Sequence, residues 1–302
     1  TIGGAERVLE QLIKIFPHAD IFTLFDFLSA EQRALLGNCK IHTSYLNALP
    51  GAQRYYRNLL PFFPGAIESF DLDDYDLVVS SSYSVAKGVI TRADQTHISY
   101  VHSPARYAWD LTHHYMKQTG GHRGLKGALT RHLLKRFRIW DYRTANGVDH
   151  FVANSEYIAK RIWKVYRREA NVVYPPVDIN RFQCRCDKEA FFLSASRMVP
   201  YKRIDLIVEA FTKMPDKQLR VIGDGPEYAK IARIAADHPN IKLLGFQDDA
   251  TLVDQMQRAK AFVFAAEEDF GIIPVEAQAC GTPVIAFKAG GTLETIRSFD
   301  DN

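Results

Sequence analysis

The sequence predicts an α/β protein made of two Rossmann-like domains whose parallel sheets face a central cleft. Three observations carry that expectation. Short apolar, β-rich runs alternate with helical patterns along the chain, the rhythm of parallel strands covered on both faces by helices. With 302 residues, the chain is longer than one core usually fills, so two domains are expected. Between the two alternating stretches stands "NVVYPPVDINRF", whose Pro175-Pro176 pair cannot continue a helix and stiffens a crossover. The boundary falls there, giving domains over 1–175 and 176–302. In sheets of this kind ligands bind outside the carboxyl ends of the strands.

The elements follow in order. "TIGGAERVLEQLIKIF" opens with a Gly3-Gly4 turn that feeds an amphipathic helix, with Val8, Leu9, Leu12, Ile13 and Phe16 on one side. Such a turn normally follows a strand, so the first strand of 1–175 is expected to be missing. Strands are predicted over 19–25, 76–82, 96–102 and 149–155 in the first half. The second half repeats them over 190–196, 218–225, 241–246, 259–266 and 282–287, with helices over 204–213, 226–237 and 249–258. The end, "GGTLETIRSFDDN", stops as a helix begins, so 176–302 reads as truncated.

One segment departs from this rhythm. Residues 111–140 contain no Asp or Glu but carry Lys117, Arg123, Lys126, Arg131, Lys135, Arg136 and Arg138. Leu125, Leu129, Leu133, Phe137 and Trp140 recur there at helical spacing. A basic amphipathic helix suits docking on an anionic membrane surface. Equally, it suits a helix that packs its apolar stripe on its own domain and leaves the basic face solvated. The aromatic cluster "RYYRNLLPFFPG" (54–65) suits a second contact with lipid or acceptor, though buried packing is the commoner role of such aromatics.

Composition narrows the classes. A net charge of +3 gives no reason to expect nucleic acid as a partner. Cys39, Cys184, Cys186 and Cys280 form no CxxC pair, and Cys184-Arg185-Cys186 has no histidine nearby. Reduced thiols in a cytoplasmic protein are therefore expected, rather than a zinc site. No apolar run reaches the about 18 residues of a membrane span, and no signal-peptide pattern is present.

The chemistry concentrates in "EEDFGIIPVEAQACGTPVIA" (267–286). A buried strand precedes it, "EEDFGII" reads as the loop at the strand's carboxyl end, and Pro274 is predicted to open a helix closed by Gly281. The amides around Gly271, Ile272 and Ile273 would then form an anion site at the helix N-terminus. Glu268 precedes that site and Glu276 follows within the first turn. Carboxylates accept hydrogen bonds from sugar hydroxyls, so the two acids suit a sugar on one flank and a ribose on the other. Ordinary surface glutamates are the alternative. In "ASRMVPYKRID" (195–205), Arg197 and Lys202 stand after the first strand of the second domain, where two cations can neutralise a diphosphate.

These segments carry a resemblance. "SRMVPYKRID", "VIGDGPE", "LLGFQDD" and "EDFGIIPVEAQACGTPVIA" resemble the donor-binding half of the retaining family-4 glycosyltransferases, of GT-B fold. "GGAERV", "YVHSPARYAWD" and "VANSEYIAKRI" agree with the other half. The resemblance implies that Arg197 and Lys202 hold the nucleotide diphosphate, with the amides of Phe270, Gly271, Ile272 and Ile273. It assigns Glu268 to the donor sugar, Glu276 to the ribose and His102 to the transferred sugar. Gly3 and Gly4 would let the backbone approach the phosphate. It further implies transfer with retention and with neither metal nor cofactor, the nucleotide sugar being a substrate.

"YVHSPARYAWD" resembles a segment of bacterial mannosyltransferases that build lipopolysaccharide O-antigens or exopolysaccharides. That makes GDP-mannose the leading donor. The acceptor would be a glycan or lipid-linked glycan, with Ser103, Arg106 and Tyr107 as candidate contacts, at the cytoplasmic face of the cell membrane. A UDP-sugar donor, a nucleotide-sugar epimerase and a non-catalytic sugar-nucleotide-binding protein stay open as alternatives. Gly223-Asp224-Gly225 lacks the third glycine of a dinucleotide fingerprint, which disfavours a dehydrogenase. The Asp-x-Asp patterns of "DLDDYD" (71–76) read as an acidic turn before a strand.

Overall fold

The computed structural model describes residues 4–34, 36–118 and 123–298. The chain divides into two units, Thr1–Pro176 and Val177–Asn302. In the first, β1 (Ile21–Thr23) pairs in parallel with β2 (Ile41–Thr43). A separate parallel sheet runs β3 (Leu77–Ser82), β4 (Thr96–Val101), β5 (His150–Ala153) and β6 (Ala170–Val172), in that order. β2 and β6 were not among the predicted strands. At three residues each, and without the longer apolar runs that flag the equally short β1 and β11, they show no alternation that marks a strand. "DLDDYD" forms the turn leading into β3, where Asp71 Oδ1 accepts from the Asp73 amide at 3.1 Å.

The Glu156–Tyr166 helix packs Ile158, Ile162, Val165 and Tyr166 on Val101, Phe151 and Ala153. Ser155 caps it, its hydroxyl accepting from the Ile158 amide at 3.1 Å; such a cap supplies a partner that the first turn lacks.

The Gly124–Thr144 helix corrects the predicted apolar stripe. Its buried residues are Gly127, Leu134, Phe137 and Asp141, whereas Leu125 is 91% and Leu129 59% exposed. A pattern of leucines alone misses the cause, which is a carboxylate. Asp141 lies fully buried, with Lys87 Nζ 2.9 Å from its Oδ1. Lys87 also donates to the Asp141 carbonyl (2.6 Å) and Thr144 Oγ1 (2.9 Å). Asp141 Oδ2 accepts from Trp109 Nε1 at 2.8 Å and Tyr166 OH at 3.0 Å. This pair fixes which face of the helix turns inward. Burial lowers the Lys87 ammonium below the usual lysine range, with Asp141 opposing the shift.

The aromatic cluster is also less buried than expected. Tyr55 and Phe62 are exposed, while the rings of Tyr56 and Phe63 pack against Phe25.

The second unit is one parallel sheet of β7 (Phe191–Ala195), β8 (Gln218–Ile222), β9 (Ile241–Gly245), β10 (Ala261–Phe264) and β11 (Val284–Ala286). Its order is β11-β10-β7-β8-β9, so the winding reverses between β7 and β10. That switch point leaves a crevice at the carboxyl edge. One core gathers Leu193, Ala195, Phe262, Phe264 and Ala277. The other gathers Leu219 and Val221 with Ile204, Ile207, Val208 and Phe211 of the Ile204–Thr212 helix.

Replacing Lys87 by Met strands the buried Asp141 charge and should lower stability by about 3–5 kcal/mol in urea unfolding. Adding Asp141→Asn removes that charge but keeps an acceptor for Trp109 and Tyr166, and should restore about half or more of the loss. A loss below about 1 kcal/mol for Lys87→Met would show that the pair does not hold the helix.

Candidate functional site

Two strands of the second unit end side by side at the switch point, and each delivers a loop. From β7 comes Ser196-Arg197-Met198, which is laced to Gly223-Asp224-Gly225 after β8. The Ser196 amide donates to the Ile222 carbonyl at 3.1 Å, and the Met198 amide to the Asp224 carbonyl at 2.8 Å. A Cβ on Gly223 would stand 1.9 Å from the Ser196 oxygen, and one on Gly225 2.5 Å from the Met198 oxygen. Only glycine allows this approach. Arg197 is exposed, and among the described residues it forms no ion pair. The turn Pro200–Lys202 then carries Lys202 back over the strand ends.

From β10 comes Glu267-Glu268-Asp269-Phe270. Lys202 Nζ forms an ion pair with Glu268 Oε1, the two side chains being 16% and 18% exposed. The ammonium also faces the rings of Tyr201 and Phe264, 5.4 and 5.7 Å from their centroids. The loop is clamped by Gly290 and Gly291, which follow β11. The Gly291 amide donates to the Glu268 carbonyl at 2.9 Å. A Cβ on Gly290 would lie 2.3 Å from that oxygen, and one on Gly291 2.4 Å from Phe270 Cα. These two glycines were missing from the predicted site, although the Gly-Gly pair after a strand was a visible signal.

Gly271, at φ 79°, caps the Ile272–Ala279 helix. The helix thus begins two residues before Pro274, which corrects the predicted start. At the third helical position proline removes an amide that has no intrahelical partner, so nothing is lost. The correction moves Glu276 into the second turn, where it is 6% exposed. Glu268 stays at the helix mouth, its Cβ 3.7 Å from where a Cβ on Gly271 would stand. Gly281, at φ 70°, ends the helix as expected, its amide donating to the Gln278 carbonyl at 2.9 Å.

In the first unit, His102 follows β4. Its Nε2 lies 2.9 Å from Ser81 Oγ, and its carbonyl accepts from Asn154 Nδ2 at 3.1 Å. Burial pushes the imidazole down to about 4, so the ring is neutral at physiological pH. Ser103 is buried; its hydroxyl donates to the Pro104 carbonyl and accepts from Arg161 Nη1, both at 2.9 Å. Arg161 also pairs with Asp110, tying both ends of the 103–110 loop to one helix. Tyr107 OH lies 2.7 Å from Ser84 Oγ, and its ring packs on Phe137. Arg106 is half-buried on the same loop. Ser103 and Tyr107 are thus engaged in holding that loop. Gly4 is the first residue of the Gly4–Ile15 helix, and Gly3 lies outside the described residues. Ser81, Asn154 and Arg161 escaped prediction because their partners stand 21 to 58 residues away.

His102 should titrate near 4 by NMR. The unfolded chain takes its proton near 6.5, so between these values the unfolded state binds more protons. The group's contribution to stability is therefore full above 6.5 and lost as the pH falls to about 4. A midpoint at the ordinary histidine value would refute the neutral, buried ring.

Comparison with known proteins agrees with this layout. Residues 2–181 match the family model described as Glycosyltransferase Family 4, and residues 178–302 the model described as Glycosyl transferases group 1. An uncharacterized glycosyltransferase of Methanocaldococcus jannaschii is 25% identical over 298 residues, covering 98% of this chain and 78% of that protein. A GDP-mannose-dependent monoacylated alpha-(1-6)-phosphatidylinositol monomannoside mannosyltransferase of Corynebacterium glutamicum is 35% identical over 114 residues. That match covers 33% of this chain and 30% of that protein, and the chain spans less than half the length of further curated relatives. Among solved structures, Anabaena HepE in complex with UDP-glucose aligns over 99% of this chain and 80% of its own. Its TM-score is 0.63 at 20% identity, a likeness of GT-B fold. The Family 4 model covers more than half of the sequence, and the chain belongs to Glycosyltransferase Family 4.

Proposed function

We propose that the protein is a retaining, metal-independent glycosyltransferase that moves a hexose from a nucleoside diphosphate to a glycan or lipid-linked glycan. The observation that carries this reading is the Lys202–Glu268 ion pair at the mouth of the Gly271-capped helix. It sets a cation, a carboxylate and the first-turn amides of a helix at one strand end. Mannose from GDP-mannose is the leading donor, supported by the segment similar to the Corynebacterium glutamicum mannosyltransferase. A UDP-sugar is the second reading, favoured by the UDP-glucose complex of HepE.

In this reading the bond between the anomeric carbon and the distal phosphate oxygen breaks, and the electron pair stays on that oxygen. Arg197, Lys202 and the Ile272 and Ile273 amides stabilise the charge that develops. Glu268 leaves Lys202 to accept from a sugar hydroxyl, Phe270 and Gly271 shape the phosphate loop, and Glu276 is assigned to the ribose. The acceptor oxygen bonds to the same face of the anomeric carbon and passes its proton to the departing phosphate. His102, being neutral, is suited to a hydrogen bond with a sugar hydroxyl rather than to a charge. Ser103, Arg106 and Tyr107 shape the acceptor loop.

The product belongs to cell-surface polysaccharide, made at the cytoplasmic face of the membrane. Among the described residues no helix is long and apolar enough to cross a membrane. The exposed Leu125 and Leu129, among the cations of 111–140, suit peripheral docking on anionic lipid.

Glu268→Gln keeps the shape but frees Lys202. It should cut transfer by about a hundredfold or more, while free GDP binds severalfold more tightly by calorimetry because Lys202 loses its internal counter-charge. Unchanged turnover would remove Glu268 from the reaction, and weaker GDP binding would show that Glu268 and phosphate do not compete for Lys202. Arg197→Ala with Lys202→Ala should weaken GDP by about tenfold or more. Ligand-observed NMR with GDP-mannose and UDP-glucose separates the two donors.

A further inference from the structure

A cavity of about 700 Å³ opens between the Thr112–Gln118 and Gly124–Thr144 helices, wholly within the first unit. Its volume is that of an ordinary small-molecule site, about 300–1,000 Å³. The floor is apolar, built from Trp109, Met116 and Leu134, the last two buried. The walls carry Lys117, Arg131, Lys135 and Arg138, and among the described residues no carboxylate lines the cavity. Arg131, Lys135 and Arg138 follow one another at helical spacing, so like charges share one face across two turns. Such pairs repel. Arg138 is held in place by donating from Nη1 to the Ala108 carbonyl at 3.0 Å.

We infer that this cavity is a binding site for a phosphate-bearing amphiphile. The cations take the phosphate, through charge-assisted hydrogen bonds, and the Trp109–Met116–Leu134 floor takes the first carbons of an apolar chain. Leu125 and Leu129 are not among the residues that line the cavity; they lie on average roughly a third of a helical turn away from Arg131, Lys135 and Arg138 around the axis, at about 100° per residue. Pocket binding and membrane docking are thus two properties of two faces. Neither the donor nor glycosyl transfer is required for the first. Trp109 and Ala108 belong to the loop that begins at His102, so an occupant of the cavity touches the segment assigned to the acceptor.

The test uses the whole chain and soluble ligands. Dihexanoyl phosphatidic acid, kept below its micellar concentration, should bind saturably by calorimetry and shift the Trp109 indole resonance. Lys117→Ala with Lys135→Ala, both exposed positions, should weaken it about tenfold or more. Inorganic phosphate should bind at least about tenfold more weakly than the amphiphile, since it leaves the floor uncovered. Leu125→Gln with Leu129→Gln should leave this binding unchanged while reducing sedimentation with anionic vesicles. Equal binding of zwitterionic dihexanoyl phosphatidylcholine, equal binding of inorganic phosphate, or indifference to the lysine variants would each overturn the site. Loss of vesicle binding alone bears only on the membrane reading.

Discussion

The second unit depends on backbone touching backbone at the carboxyl edge of its sheet. Gly223 meets the Ser196 oxygen, Gly225 the Met198 oxygen, Gly290 the Glu268 oxygen and Gly291 the Phe270 backbone. Each contact is closer than any Cβ permits, so the loops can interlock only where side chains are absent. The interlocking fixes the path of both loops. With their paths fixed, Lys202 and Glu268 arrive within ion-pair reach, and Gly271 turns the chain into a helix that starts at the same edge. A site held by backbone contacts suffers little drift, which is what transition-state electrostatics requires.

The first unit solves a related problem with charge. Its long helix carries several basic residues and few strong apolar anchors, so apolar burial alone orients it weakly. Lys87 and Asp141 supply the orientation. Each satisfies the other, and the carboxylate also gathers Trp109 and Tyr166. Buried pairs of this kind seldom add much net stability, but breaking one leaves a charge with no solvent. The same network anchors Trp109, hence the loop that starts at His102. Arg161 and Asn154 complete the support from the neighbouring helix and strand end.

The alternation of strands and helices was legible in the sequence, as were the Phe270-Gly271 segment and the cations after β7, because these are local patterns. The Asp249–Arg258 helix has the predicted bounds, since Asp248 caps it and its period is regular. What escaped was non-local. The inward face of the Gly124–Thr144 helix could not be read from leucines when a distant lysine decides it. The helix start before Pro274 was misplaced because a proline is usually taken as a first residue, whereas any first-turn position tolerates one. Gly290 and Gly291 gain their meaning from Glu268 and Phe270, some twenty residues earlier in the chain.

The Lys202–Glu268 pair has a kinetic side. Two opposite charges in contact form a dipole whose field decays quickly with distance. An approaching anion therefore senses little of Lys202 from beyond a Debye length of about 8 Å at physiological salt. Arg197, exposed and outside any ion pair among the described residues, keeps its long-range pull. On the proposed reading, attraction during diffusion would fall to Arg197, and Lys202 would enter only once the anion is close enough to draw it from its carboxylate. Capture and grip would then be divided between two cations by distance, and ionic strength would govern the rate of encounter more strongly than the strength of the final hold.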